Sequence, residues 1–221
     1  MNSLRRTSII VGLLFIIASA SPLLAWLGFL SIYDPNYLTL VAANQIPMIV
    51  GVILMLTLAA SAVGIPIALY PILKKQNESL AQGYFAARIF EGIFAVLSVV
   101  NLLAILSLSQ HYVDAVAPVV SYFETSGTLL FEAFEWSGIL LDFPFMLSAL
   151  ILNYMLYKSK IVPKWLSGWG FIGATVYVGF IFSELFLAVS LEIFAAALGI
   201  QEMALTAWLI IKGFSSSAVQ E

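Results

Sequence analysis

Six apolar stretches, each long enough to cross a bilayer as a helix, follow one another between Ser8 and Lys212 with short polar breaks. They run over approximately 8–30, 45–73, 84–108, 128–157, 168–189 and 193–212. About 20 apolar residues at a rise of ~1.5 Å suffice to span the hydrocarbon layer. Inside lipid a backbone can satisfy its own polar groups only as helices or as a closed barrel. The ten-residue alternation of a barrel is not found, so the chain is expected to form one all-α domain over 1–221, a polytopic bundle of about six transmembrane helices. Composition agrees: 62% of the residues are hydrophobic and 10% charged, against about 25% charged in soluble domains.

Positive charge marks one side of this bundle. Arg5 and Arg6 precede the first span, Lys74 and Lys75 join the second to the third, and Lys158, Lys160 and Lys164 join the fourth to the fifth. Arg88 opens the third span and Lys212 ends the sixth. An even number of spans puts all of them on one side, which the positive-inside rule assigns to the cytoplasm, together with both termini. The opposite segments, SIYDPNYLTL and SQHYVDAVAPVVSYFETS, hold acids and His111 but no Lys or Arg. The second is rich in aromatic and apolar residues, and is expected to lie on the outer interface or to act as a lid.

The first segment has a basic start, an apolar run and Ala-Ser-Ala at 18–20, the pattern of a cleavable secretory leader. Its apolar run continues to Leu30, longer than an ordinary leader needs, so a retained first helix is the expectation. The two hairpins that turn on the basic side share an order of Tyr, apolar residues, Lys, Leu, Gly and an aromatic, which a parallel repeat of helix pairs would produce. With no cysteine, disulfides and thiolate chemistry are excluded, and the single His111 excludes two-histidine metal and haem signatures. No cofactor, metal site or catalytic residue is therefore assigned.

The informative residues are the polar ones inside the spans, since a charge at the bilayer centre costs at least about 2.5 kcal/mol without a partner or a wet cavity. Arg88 and Glu91, three apart, share a helix face within ion-pairing reach. Glu135, Asp142 and Asn153 form a polar stripe on the fourth span, with Asp142 two residues before Pro144. Gly170, Gly173, Tyr177 and Glu184 share a face of the fifth, and Glu184 is expected near Asp142 in the outer half. Glu202 stands near the midplane of the sixth, ten residues from Lys212, so its partner must come from another span; Arg88 or a proton is expected. Glu202, Asp142, Glu184, Glu91 and Arg88 are the candidate ligand or proton sites.

Four segments, RRTSIIVGLLFI, KKQNESLAQGYFAARIFEGIF, YMLYKSKIVPKWLSGWGFIG and IQEMALTAWLIIKGF, resemble in order the prokaryotic membrane proteins grouped as domain of unknown function 4386. The acid-rich EAFEWSGILLDFPFM of the fourth span is less like that family, so the resemblance lends Asp142 no role. It implies six spans in the plasma membrane of a bacterium or archaeon, and implies no substrate.

Three functions compete. A binding or transport protein would use the interior acids for protons, a cation or a small amphipathic ligand, and a chain this small would work as a homo-oligomer. A structural, sensory or accessory protein would use the same groups for packing. An intramembrane lipid-modifying enzyme, the least favoured of the three, would draw acid–base catalysis from paired carboxylates, without a Ser/His pair, a histidine cluster or an acidic metal-diphosphate motif. The bilayer and a small-molecule or cation ligand are the expected partners, and no nucleic acid is.

Overall fold

A computed structural model of the chain describes residues 3–115, 120–187 and 192–215. Every regular element in them is helical: α1 Ser3–Phe29, a 3-10 turn Leu30–Tyr33, α2 Tyr37–Ala43, α3 Gln45–Leu73, α4 Glu78–Val113, α5 Val120–Ser159, α6 Lys164–Leu187 and α7 Glu192–Ile211. Five of these are long and apolar enough to cross a membrane, and α7 adds a shorter apolar run, Ala196–Ile211. The protein is thus a polytopic helical membrane bundle.

The long helices close into a ring, each packed on the next in the order α1, α3, α4, α5, α6, α7 and back to α1. The turns 74–77 and 160–163 with the helix ends beside them, the start of α1 and the end of α7 gather every Lys and Arg except Arg88 at one end, the basic end. Arg5 ties it together, its guanidinium donating to the carbonyls of Leu209 and Ile210 where α7 runs out of intrahelical partners. Gly213 follows at φ 78°, the left-handed position that ends helices, and its N–H returns to the Trp208 carbonyl.

The amphipathicity of α4 is that of a helix in lipid. Phe90, Ile93, Leu97, Val100 and Leu103 recur at three- and four-residue spacing along its exposed side, the side hydrocarbon covers without penalty. Its buried side carries Arg88, Glu91 and Ser98 between alanines. Ser98 Oγ lies 2.9 Å from Ser137 Oγ on α5, the kind of hydroxyl contact that joins spans where no hydrophobic effect separates protein from solvent.

The N-terminus of α4 is held by Asn77, whose Oδ1 accepts from Leu80 N–H at 2.9 Å. Asn77→Ala should therefore cost about 1 kcal/mol, read as a fall of roughly 2–4 °C in thermal midpoint for a chain of this size.

The second outer segment differs from the expected interfacial loop. Its first residues continue α4 to Val113 and its last already belong to α5, which begins at Val120. Residues 116–119 lie outside the described residues. Tyr112 and Phe123 meet edge to face at 6.4 Å across the gap. Continuing a helix adds one backbone hydrogen bond per residue, and both helices are longer than the hydrocarbon layer requires. At 40 residues α5 is about 60 Å long, roughly twice the hydrocarbon thickness.

Candidate functional site

Inside the ring, α1, α3, α4, α5 and α7 surround a cavity of about 740 Å³. Its wall is largely apolar, with Ile16 and Leu23 from α1, Met55 from α3, Leu141 from α5 and Ile200 and Met203 from α7. Set into that wall are Arg88, Glu91, Asp142 and Glu202. Each stands about 15–25 Å from the basic end of its helix, counted at 1.5 Å per residue. Four of the five residues singled out by their polarity thus face one space. The fifth, Glu184, is on α6, and its side chain lies outside the described part of the structure.

Arg88 and Glu91 form the ion pair that their spacing predicts, Nη1 to Oε2 at 2.8 Å, with both side chains 3% exposed. The guanidinium also reaches across to α3, where Nε donates to the Ala62 carbonyl at 3.3 Å. The pair therefore joins two helices as well as neutralising itself. Its Nη2 is buried with no protein acceptor.

Glu202 has a hydrogen-bond partner that the sequence did not indicate. Its Oε2 accepts from Ser19 Oγ on α1 at 3.2 Å, while Arg88, committed to Glu91, lies close enough for its charge to act on Glu202 through space. Ser19 escaped sequence reasoning because it sits in the Ala-Ser-Ala run, whose small residues read as a leader pattern. A hydroxyl one helix away from an unpaired midplane acid leaves no mark in a single sequence.

Gln201, beside Glu202 but about 100° around the helix, turns away from the cavity. Its Nε2 donates to Asn153 Oδ1 on α5 at 3.2 Å and to the Leu166 carbonyl on α6 at 3.1 Å. Gly170 of α6 makes room for this contact: a Cβ there would collide with the Asn153 side-chain amide and with Gln201 Cδ. The glycine stripe of the fifth span is thus a packing feature, as its small residues imply. The stripe on α5 divides: Asn153 is locked in this network, Asp142 faces the cavity, and Glu135 is exposed near the opposite end, accepting from Tyr33 Oη at 3.0 Å.

A second void, about 10 Å³, lies among Tyr84, Arg88, Asn153, Gln201 and Glu202. That is room for about one water molecule, and these polar groups share its border with Phe15, Phe145, Leu152, Leu198 and Leu205. Tyr84 and Arg88 each bring to it a side chain with a buried polar atom that has no protein hydrogen-bond partner. Glu202 thereby borders two spaces, the large central cavity and this small void. Among the described residues no group of three His, Asp or Glu is placed to hold a metal ion.

The central cavity is lined by helix residues alone and reaches the apolar flank of the bundle. Leu23 is 73% and Ile200 61% exposed, and both border it. Counted along their helices they stand about 16–30 Å from the basic end, well inside the apolar spans. Gly138 on α5 and Gly199 on α7 also border the cavity, and a Cβ on either would meet nothing within 4 Å.

No curated protein and no solved structure matches the chain. A protein-family model does, over residues 10–213. That interval contains α3 to α7 whole and α1 from Ile10 onward, with every cavity residue described above, so the polar interior lies wholly within the matched region. The chain belongs to the family described as a domain of unknown function, DUF4386.

Proposed function

We propose that the protein is a membrane-embedded binding or transport protein whose ligand is a small amphipathic cation. The observation that carries this reading is the meeting of Arg88, Glu91, Asp142 and Glu202 in one largely apolar cavity. Three carboxylates face one guanidinium, so the fully ionised site would hold an excess of two negative charges. A cationic head on an apolar body would offset that excess and fill the remaining wall, and protons would do so when the ligand leaves. The volume of about 740 Å³ falls in the range that encloses small organic ligands. The charge arrangement supports placing the basic end and both termini in the cytoplasm of a bacterial or archaeal cell, with the cavity loaded sideways from the outer half of the plasma membrane.

Purified protein in proteoliposomes should bind tetraphenylphosphonium, a lipophilic cation, and Glu202→Gln should weaken that binding about tenfold, the equivalent of ~1.4 kcal/mol. Flux driven by a pH gradient should fall with it. If Glu202→Gln and Asp142→Asn both left binding and flux undiminished, the reading would be wrong, and the polar groups would belong to packing.

A further inference from the structure

The basic end carries a second concavity, separate from the central cavity. It measures about 380 Å³ and is formed by the turn between α5 and α6, the first residue of α6 and the segment that leaves α7. Lys160, Lys164 and Lys212 border it with Trp208 and Phe214, and no acidic side chain does so among the described residues. These are three of the nine Lys and Arg of the chain. None of the three takes part in an ion pair among the described residues, where the single salt bridge is Arg88–Glu91.

Lysines that only obey a sidedness rule can spread over the surface, which lowers their mutual repulsion. These three border one hollow from separate elements, Lys164 with its Nζ also 5.3 Å from the Tyr157 ring centroid, and like charges around a concavity focus a positive potential inside it. The start of α6 adds to that potential, because its first turn has no acidic residue to offset the helix dipole. The backbone points the same way. Lys160 holds φ at 56°, where glycine or asparagine is usual after a helix, so the chain keeps a lysine at a position that a plain turn would give to another residue. Trp208 and Phe214 supply the aromatic surface that sits at the level of lipid headgroups.

We propose that this concavity binds the phosphate of one anionic phospholipid headgroup, held by Lys160, Lys164 and Lys212 with the start of its acyl chains against Trp208. The site is independent of the central cavity and of the function proposed for it.

Native mass spectrometry of the detergent-purified full chain with phosphatidylglycerol, phosphatidylcholine or inorganic phosphate tests this. The wild type should retain one phosphatidylglycerol at least fivefold in preference to phosphatidylcholine. The triple variant Lys160→Gln, Lys164→Gln, Lys212→Gln should lose the preference, while Lys74→Gln with Lys75→Gln, at the same end but outside the hollow, should keep it. Lys160→Gly should raise the thermal midpoint, since glycine adopts that backbone freely, and still weaken lipid retention; this variant decides the matter if the triple variant does not fold. No preference in the wild type, or equal loss in the Lys74/Lys75 control, would overturn the proposal. Displacement of the lipid by millimolar inorganic phosphate would also overturn it, in favour of a soluble anion.

Discussion

Glu91→Leu is expected to destabilise the protein by about 3–5 kcal/mol, the cost of leaving one member of a buried ion pair uncompensated. The pair is 2.8 Å long and 3% exposed on both sides, so water cannot take over either charge. The two single substitutions should not be equal. Without Glu91, Arg88 keeps a charge it cannot give up, because a guanidinium does not lose its proton in proteins. Its Nη2 already has no protein acceptor, and Nε holds only the Ala62 carbonyl. Without Arg88, by contrast, Glu91 can take up a proton and remain buried as a neutral acid. Arg88→Met should thus cost less than Glu91→Leu, and the double variant should recover most of the loss, as apolar replacement of a whole buried pair often does. Unfolding midpoints in one detergent would give this order. A Glu91→Leu midpoint equal to wild type would mean that Arg88 is held elsewhere and that the pair does not join α4 to α3.

Gly199→Phe is expected to remove tetraphenylphosphonium binding and to leave the fold at least as stable. Most core substitutions that enlarge a side chain force neighbours out of place, but a Cβ on Gly199 meets nothing within 4 Å. The ring would enter the space lined by Glu202 and Met203, while the helix gains up to about 0.5 kcal/mol from losing a glycine. Gly138→Leu should act in the same way from α5, where the space is equally open. Neither substitution touches a charged residue. Loss of binding with an unchanged melting curve would therefore separate filling of the cavity from loss of its charges, which Glu202→Gln addresses. Retained binding in both glycine variants would mean that the ligand, if there is one, sits outside this cavity.

Parts of the segments that resemble the family carry the contacts that position the site. AARIFEG contains the ion pair and the alanines that allow its burial; IQEM contains the α5–α7 amide contact and the cavity acid; KG contains the left-handed residue that closes α7. Each is legible because it breaks a local rule: charge within an apolar run, adjacent polar residues at midspan, glycine after a helix end. Ser19, Tyr84 and Gly138 break none. A serine, a tyrosine or a glycine in a transmembrane helix is ordinary, and only the neighbours brought by other helices give them a role.

What the amino-acid sequence determined by itself was everything that depends on one helix at a time. The length and polarity of the apolar runs dictated a membrane bundle, the placement of Lys and Arg marked its basic end, and the helical repeat put Arg88 beside Glu91 and turned Gln201 away from Glu202. The tertiary structure alone decided which helix faces meet. It brought Asp142, Glu202 and the Arg88–Glu91 pair to one cavity, gave Glu202 the Ser19 hydroxyl, and set Lys160, Lys164 and Lys212 around one hollow. The reason is physical. In lipid the hydrophobic effect does not tell one apolar face from another, so the rotation and depth of each helix are settled by close packing at small residues and by a few polar contacts between helices, and none of these is local in sequence.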